Sequence, residues 1–262
     1  MSGKSNSSVD KTLSILERLS EHKNGLTLAE LIKLIDIPKT TAFRILEVLV
    51  AREYVTWSPD NERYYNGIKT LEIGMRGLAG MDIVDVAVPC LQDLSATVGE
   101  TSFLAVYNRG DVVYLYKAEG TRSIQTTSSL GSRRPAYCTA LGKAILANLP
   151  HEETDRIFEK KLDKLTDKTI VDKLRLNEEF AKTRINGYSV DDEGVEHGLY
   201  CMAVPIYNYT GNVVAAISVS GPLKRMNENK DQIVQELKSR GAVISRRLGY
   251  VKTLANYRPQ TQ

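Results

Sequence analysis

Apolar residues recur between Val9 and Leu19 at Val9, Leu13, Leu16 and Leu19, with Ile15 beside them. That spacing is the stripe of an amphipathic helix. Asn24-Gly25 closes it with turn chemistry. Thr27 then opens a second helix. Glu30 stands three residues on, so each side chain can satisfy the other's free backbone N–H in a capping box. Leu28, Leu31, Ile32 and Ile35 form the face this short helix buries. Pro38 begins a third helix at a position where its missing N–H costs nothing. Ala42, Ile45, Leu46 and Leu49 are the apolar stripe of that helix, and Lys39, Thr40, Thr41, Phe43, Arg44 and Glu47 fall largely on its other side. The period then changes to that of strands. Glu53 to Trp57 and Arg63 to Tyr65 flank the turn cluster Ser58-Pro59-Asp60-Asn61, which predicts a hairpin.

Three helices followed by a hairpin describe a winged helix-turn-helix, with the hairpin as wing. The first turn of helix three offers a positive dipole end, a lysine and two hydroxyls, with Arg44 one turn later. That set suits phosphates and base edges in a major groove. The candidate DNA contacts are Thr27, Lys39, Thr40, Thr41, Phe43, Arg44 and, on the wing, Arg63. The same pattern occurs in winged helices that bind protein, so that alternative stays open.

Ile68 to Met81 reads as a connecting helix in which Gly74, Gly77 and Gly80 each lower intrinsic stability by about 1 kcal/mol. Asp82 caps a further helix that runs to about Val98-Gly99. Strands follow over Thr101–Tyr107, Val112–Ala118 and Ser123–Ser128, with Asn108-Arg109-Gly110-Asp111 as the first turn. Helices are predicted over Ala140–Leu149, Glu152–Phe158 and Lys173–Asn186. Strands return at Val190-Asp191, Leu199–Tyr207 and Asn212–Ser220, and a closing amphipathic helix covers Asn227–Leu248. Helices flanking an antiparallel sheet make the second half an α+β domain.

Two features of this half point to a ligand. Gly131 to Ala144 is a loop running into a helix N-terminus, where free N–H groups favour an anion. Ser218 and Ser220 fall on one face of a strand that otherwise reads as core. Buried hydroxyls are costly unless partnered, and the partner is either a ligand or neighbouring backbone and water.

Composition bounds the function classes. The chain has 262 residues, 42% hydrophobic and 26% charged, the balance of an ordinary globular protein. No apolar run reaches the length of a membrane helix, and Met1 to Ser8 reads as a frayed cytoplasmic arm. A net charge of +3, with little excess over residues 1–80, gives no electrostatic argument for nucleic acid. Cys90, Cys138 and Cys201 are far apart and odd in number, the usage of a reduced, intracellular protein. His197 and Cys201 are four apart, but the glycines and strand around them argue against a zinc site. No metal or cofactor is expected. Nucleophile-elbow, Walker, dinucleotide and HExxH motifs are all missing. Asp191, Asp192 and Glu193 have no His or Lys beside them in sequence. An enzyme acting on a small carboxylate is therefore the weakest alternative.

The segment Ile37-Pro38-Lys39-Thr40-Thr41-Ala42-Phe43-Arg44-Ile45-Leu46 resembles the recognition-helix motif of the IclR family of bacterial transcription regulators. Tyr54-Val55 and Tyr64 through Gly74 also match that family's pattern, and the resemblance extends over about residues 8 to 250. It implies a GAF- or profilin-like effector domain after the winged helix-turn-helix. The expected organisation is a DNA-binding domain over 1–67, a linker helix over 68–81, an effector-binding domain over 82–252 and a tail over 253–262. Carried over by position, Thr139, Ala140, Leu141, Asp191, Cys201, Ser218 and Ser220 would line the effector pocket, with Tyr137 beside them. Cys201 would be a small wall and weak donor, not a nucleophile. The Tyr137-Cys138-Thr139-Ala140 version of the first effector motif is similar to that of members responding to sugar acids such as 2-keto-3-deoxygluconate. The resemblance further implies a homodimer or dimer of dimers on a palindromic operator, most often repressing, in the cytoplasm.

Overall fold

The structure, a computed structural model, describes residues 8–79, 82–122 and 129–251. The chain divides into two compact units, Met1–Gly80 and Met81–Gln262.

The first unit contains α1 (Ser8–Glu21), α2 (Leu28–Ile35), α3 (Lys39–Ala51), the hairpin strands β1 (Val55–Ser58) and β2 (Arg63–Asn66), and α4 (Ile68–Ala79). Its core is the set of apolar stripes read from sequence: Ile15 and Leu19 from α1, Leu31 from α2, Ala42, Ile45, Leu46 and Leu49 from α3, closed by Val55. The capping box at α2 forms, with Thr27 Oγ1 accepting from the Glu30 N–H at 3.2 Å and the Thr27 N–H donating to Glu30 Oε2 at 2.8 Å. Pro38 is the N-cap of α3 and not its first residue, a shift of one position. Leu26 and Tyr64 exchange backbone hydrogen bonds, which ties the α1–α2 connection to the wing. The helix α4 forms through Gly74 and Gly77; Gly80 and Met81, the expected end of the linker, lie outside the described residues.

In the second unit, α5 (Ile83–Val98) begins on the Asp82 cap, whose carboxylate accepts from the Val84 N–H. Then come β3 (Thr101–Asn108), β4 (Asp111–Ala118), β5 (Arg133–Pro135), α6 (Ala140–Leu146), α7 (His151–Asp155) with a 3-10 turn over Arg156–Glu159, and α8 (Lys173–Asn186). β6 (Ser189–Asp192), β7 (Leu199–Tyr207), β8 (Val213–Pro222), α9 (Leu223–Glu228) and α10 (Lys230–Arg247) complete it. The six strands form one antiparallel sheet in the order β5-β4-β3-β8-β7-β6. One face packs on α5 and α10 through Leu104, Met202, Val204, Ile217 and Val219. The other packs on α6 and α8 through Phe103, Ala105, Cys201, Ala203 and Ala216. The expected α+β architecture, helices flanking an antiparallel sheet, is the one found.

Three expectations are corrected. The closing helix is two helices, because Asn229 adopts φ −112°, ψ 17° and its side chain donates to the Arg225 carbonyl at 2.9 Å. Such a side-chain bond competes with the helical ladder. Arg133–Pro135, read as loop, is an edge strand on β4, where a proline without an N–H is tolerated. The segment Glu152–Phe158, read as one helix, tightens from α7 into the 3-10 turn. The strand expected over Ser123–Ser128 and the tail over 253–262 lie outside the described residues.

Candidate DNA face and effector cavity

In the first unit the exposed side of α3 carries Lys39, Thr40, Phe43 and Arg44, with Thr41 half-buried at its edge. The buried stripe on the opposite side fixes which way these residues point. Phe43 is 46% exposed, as is Trp57 of the wing at 45%, a residue that sequence reading passed over. Thr27 sits half-buried at the α2 cap. Arg63 is held differently from the rest. Its guanidinium donates to the Gly25 carbonyl at 2.8 Å and to both Glu30 carboxylate oxygens at 3.2 and 3.3 Å. The Thr27 N–H and then Arg63 keep the Glu30 carboxyl below its ordinary range. Arg63 therefore braces the wing against α2 and is not a free cation of the wing.

In the second unit strand register sets the site. Side chains alternate across a sheet, and two transverse rows face α6. One runs Thr101, Ser220, Cys201, Asp191 across β3, β8, β7 and β6, and the next runs Phe103, Ser218, Ala203, Ser189. Ser189 Oγ donates to the Ala140 carbonyl at 2.7 Å, and the buried Lys143 ammonium donates to the Val190 carbonyl at 2.9 Å. These two bonds pin α6 to the edge of the sheet. Thr139 caps α6, accepting from the Gly142 N–H at 3.0 Å. The helix's first N–H groups have no intrahelical acceptor, as at any helix start. A Cβ at Gly142 would collide with the Ala136 carbonyl oxygen, so glycine is needed for this approach.

Between α6 and the two rows lies a cavity of about 40 Å³. Thr139, Ala140, Leu141, Asp191, Cys201, Ser218 and Ser220, spread over some eighty positions of sequence, all line it. Tyr137, expected beside them, does not. Its hydroxyl donates to the Asp163 carbonyl at 2.6 Å, and the ring lines a separate cleft with Tyr107, Ile157 and Leu162. A buried phenol takes the nearest acceptor, and here that lies away from the cavity. Sequence reading missed Phe103, Tyr114, Arg134, Val195, Glu196 and Leu199, which also contribute walls. The period of β3 places Phe103 on the face of Thr101, but only register shows that this face meets Ser218.

The polar groups of the cavity are unevenly satisfied. Ser218 is 1% exposed and its hydroxyl has no hydrogen-bond partner among the described residues. Asp191 is 2% exposed, and its Oδ1 accepts from the Gly194 N–H at 2.7 Å. Burial pushes the Asp191 carboxyl up to about 6, against the downward pull of Lys143 and the Gly194 N–H. Burial also raises the Cys201 thiol, with the Ser220 hydroxyl opposing, so Cys201 is a neutral wall.

The loop 193–198 closes one side of the cavity with Val195 and Glu196. Thr166 Oγ1 donates to the Glu193 carbonyl and Thr169 Oγ1 to the Gly194 carbonyl, each at 2.7 Å, while Lys168 pairs with Glu193 and Asp192.

Comparison with known proteins places this arrangement. Residues 8–59 match the IclR helix-turn-helix domain, and residues 75–246 match the bacterial transcriptional regulator IclR C-terminal domain. The chain is 31% identical over 245 residues to the HTH-type transcriptional regulator XynR of Escherichia coli, covering 93% of this chain and 97% of that protein. It is 32% identical over 247 residues to E. coli KdgR, covering 93% of each. The HTH-type transcriptional repressor AllR of Klebsiella pneumoniae is 30% identical, over 96% of this chain and 91% of its own length. Among solved structures, the Agobacterium tumefaciens repressor BlcR superposes with a TM-score of 0.84 at 28% identity, over 95% of this chain and all of that one.

Proposed function

The chain belongs to the IclR family of bacterial transcriptional regulators and is a DNA-binding regulator; from that premise we propose how each unit serves regulation. Residues 1–67 bind a palindromic operator, 68–81 link, and 82–252 bind the effector. Lys39, Thr40, Thr41, Phe43 and Arg44 enter the major groove, with Arg44 reading a base edge and Lys39 a phosphate. Thr27 flanks them, and Arg63 acts by holding the wing in place. The protein works as a homodimer or dimer of dimers, matching a two-fold operator. It represses in the cytoplasm and turns over no substrate.

The effector is a small hydroxylated carboxylate of the sugar-acid class, held by Thr139, Ala140, Leu141, Asp191, Cys201, Ser218 and Ser220. One observation carries this reading: a fully buried Ser218 hydroxyl, without a partner among the described residues, faces the same cavity as Asp191 and Ser220. A buried hydroxyl without a protein partner is costly, and a ligand hydroxyl that bonds it offsets that cost. The cavity of about 40 Å³ has room for little more than water, so a six-carbon acid displaces the 193–198 loop on entry. Effector binding changes operator affinity only as far as the ligand prefers one arrangement of the protein over another. The test is thermal unfolding with a panel of sugar acids, including 2-keto-3-deoxygluconate and D-gluconate, followed by gel shifts on the gene's upstream region. A raised Tm with altered operator retention supports the reading. No response from any acid refutes the ligand class, and no retention of any promoter fragment refutes the operator role.

A further inference from the structure

The effector cavity already contains a carboxylate. Asp191 stands in the transverse row beside Cys201 and Ser220, 2% exposed, in a cavity whose apolar walls include Phe103, Leu141, Val195 and Leu199. The charged and titratable groups around it come from every neighbouring element. From α6, Lys143 is buried and its ammonium donates to the Val190 carbonyl. From the 193–198 loop, Glu196 contributes to the lining but is exposed, so water screens it. From β5, Arg134 stands exposed at the rim, where water screens it. On β6 itself Asp192 is exposed. The thiols of Cys138 and Cys201, which Asp191 also disfavours as anions, are neutral. From β8 only the uncharged Ser218 and Ser220 face the cavity. Asp191 is thus the buried negative charge of the lining, with the buried Lys143 as its neighbouring cation and the exposed Arg134 and Glu196 both screened by water.

A second carboxylate placed against Asp191 disfavours the ionisation of both, because two like charges sharing a buried site drive one toward taking a proton, with Lys143 as the opposing charge. We propose that this cavity takes its effector as the equivalent of an undissociated acid: one carboxylate and one proton from solvent, the proton shared between the ligand and Asp191. No covalent bond changes; one hydrogen ion is taken up for each anion bound. The free protein is already prepared for this, since burial holds Asp191 at about 6 against the pull of Lys143 and the Gly194 N–H. The proposal rests on the carboxylate reading above and adds a proton count to it.

Titration calorimetry of the full chain with 2-keto-3-deoxygluconate and D-gluconate, in pairs of buffers of different ionisation heat, measures that count. Uptake approaching one proton is expected near about pH 7.5 and little near about pH 5, where Asp191 is already neutral. Affinity is expected to fall by close to tenfold per pH unit between about pH 6.5 and 8. In Asp191→Asn, which still accepts from the Gly194 N–H, uptake disappears and carboxylate affinity no longer depends on pH. Carboxylate binding without proton uptake, at an affinity flat with pH, overturns the proposal and leaves the effector reading standing. Absence of binding by either acid even near about pH 5 overturns both. If Asp191→Asn does not fold, the proton count of the unaltered protein decides alone.

Discussion

The exposed side of α3 and the cavity beneath α6 hold their polar groups in opposite states. On α3, Lys39 and Arg44 are solvated and backed by a dry stripe of Ala42, Ile45, Leu46 and Leu49. Around the cavity, Asp191, Ser218 and Ser220 are buried, and the Ser218 hydroxyl has no partner among the described residues. A polyanion brings its own counter-charge to a surface that water has kept satisfied, so such a surface needs no enclosure. A small ligand gives up its hydration, and only a site already paying for unsatisfied groups can repay it with direct hydrogen bonds. The two faces should therefore respond to substitution in different currencies: one in operator affinity and its salt dependence, the other in stability and its pH dependence.

The largest expected effect lies in the cavity. Asp191 is raised from 3.8 to about 6 in the folded protein. The folded state thus holds its proton more tightly than the unfolded chain. The associated stability is fully present below about pH 4 and is lost as pH rises through about 6, amounting to about 3 kcal/mol. Denaturant unfolding of Asp191→Asn should lack this loss, so the variant gains on the parent protein by up to that amount between pH 4 and 7. Parallel pH profiles for the two would remove Asp191 as the buried acid.

Next comes the α3 surface, where Arg44→Ala should weaken operator binding by about 1–3 kcal/mol and relax base preference at one position, with unfolding unchanged. If the loss is uniform across operator variants, Arg44 is a phosphate contact. Ser218→Ala sharpens the contrast further: deleting an unsatisfied buried hydroxyl should stabilise the effector-free protein by about 1 kcal/mol while lowering sugar-acid affinity. A destabilised variant would mean that the hydroxyl has a partner after all. Smallest is Thr27→Ala, which breaks the capping box and should cost about 1 kcal/mol of stability in the first unit. Unchanged pH dependence of the second unit in that variant would keep the two regions separate.

The winged unit was legible in the sequence because its determinants are local. The Thr27–Glu30 box, the Pro38 start and the stripe through Leu49 each act within a turn or two of helix, and the structure moved the start of α3 by one residue. The braced state of Arg63 was not legible, since Glu30 lies thirty-three positions away and meets it only when wing and α2 close on each other. In the second unit, period two correctly put Ser218 and Ser220 on one face. It could not say that Phe103 and Asp191 share the cavity with them, or that Tyr137 does not.

Sequence alone determined most of the helices and strands, which stripe of each is buried, and the α+β organisation, because periodicity and capping are properties of neighbouring residues; the edge strand β5 and the break at Asn229 came only with the fold. Register, and with it the rows Thr101-Ser220-Cys201-Asp191 and Phe103-Ser218-Ala203-Ser189, was decided only in the folded sheet. So was the charge state of Asp191: burial sets it, and burial is the joint work of β6, β7, α6 and the 193–198 loop, which no single stretch of chain contains.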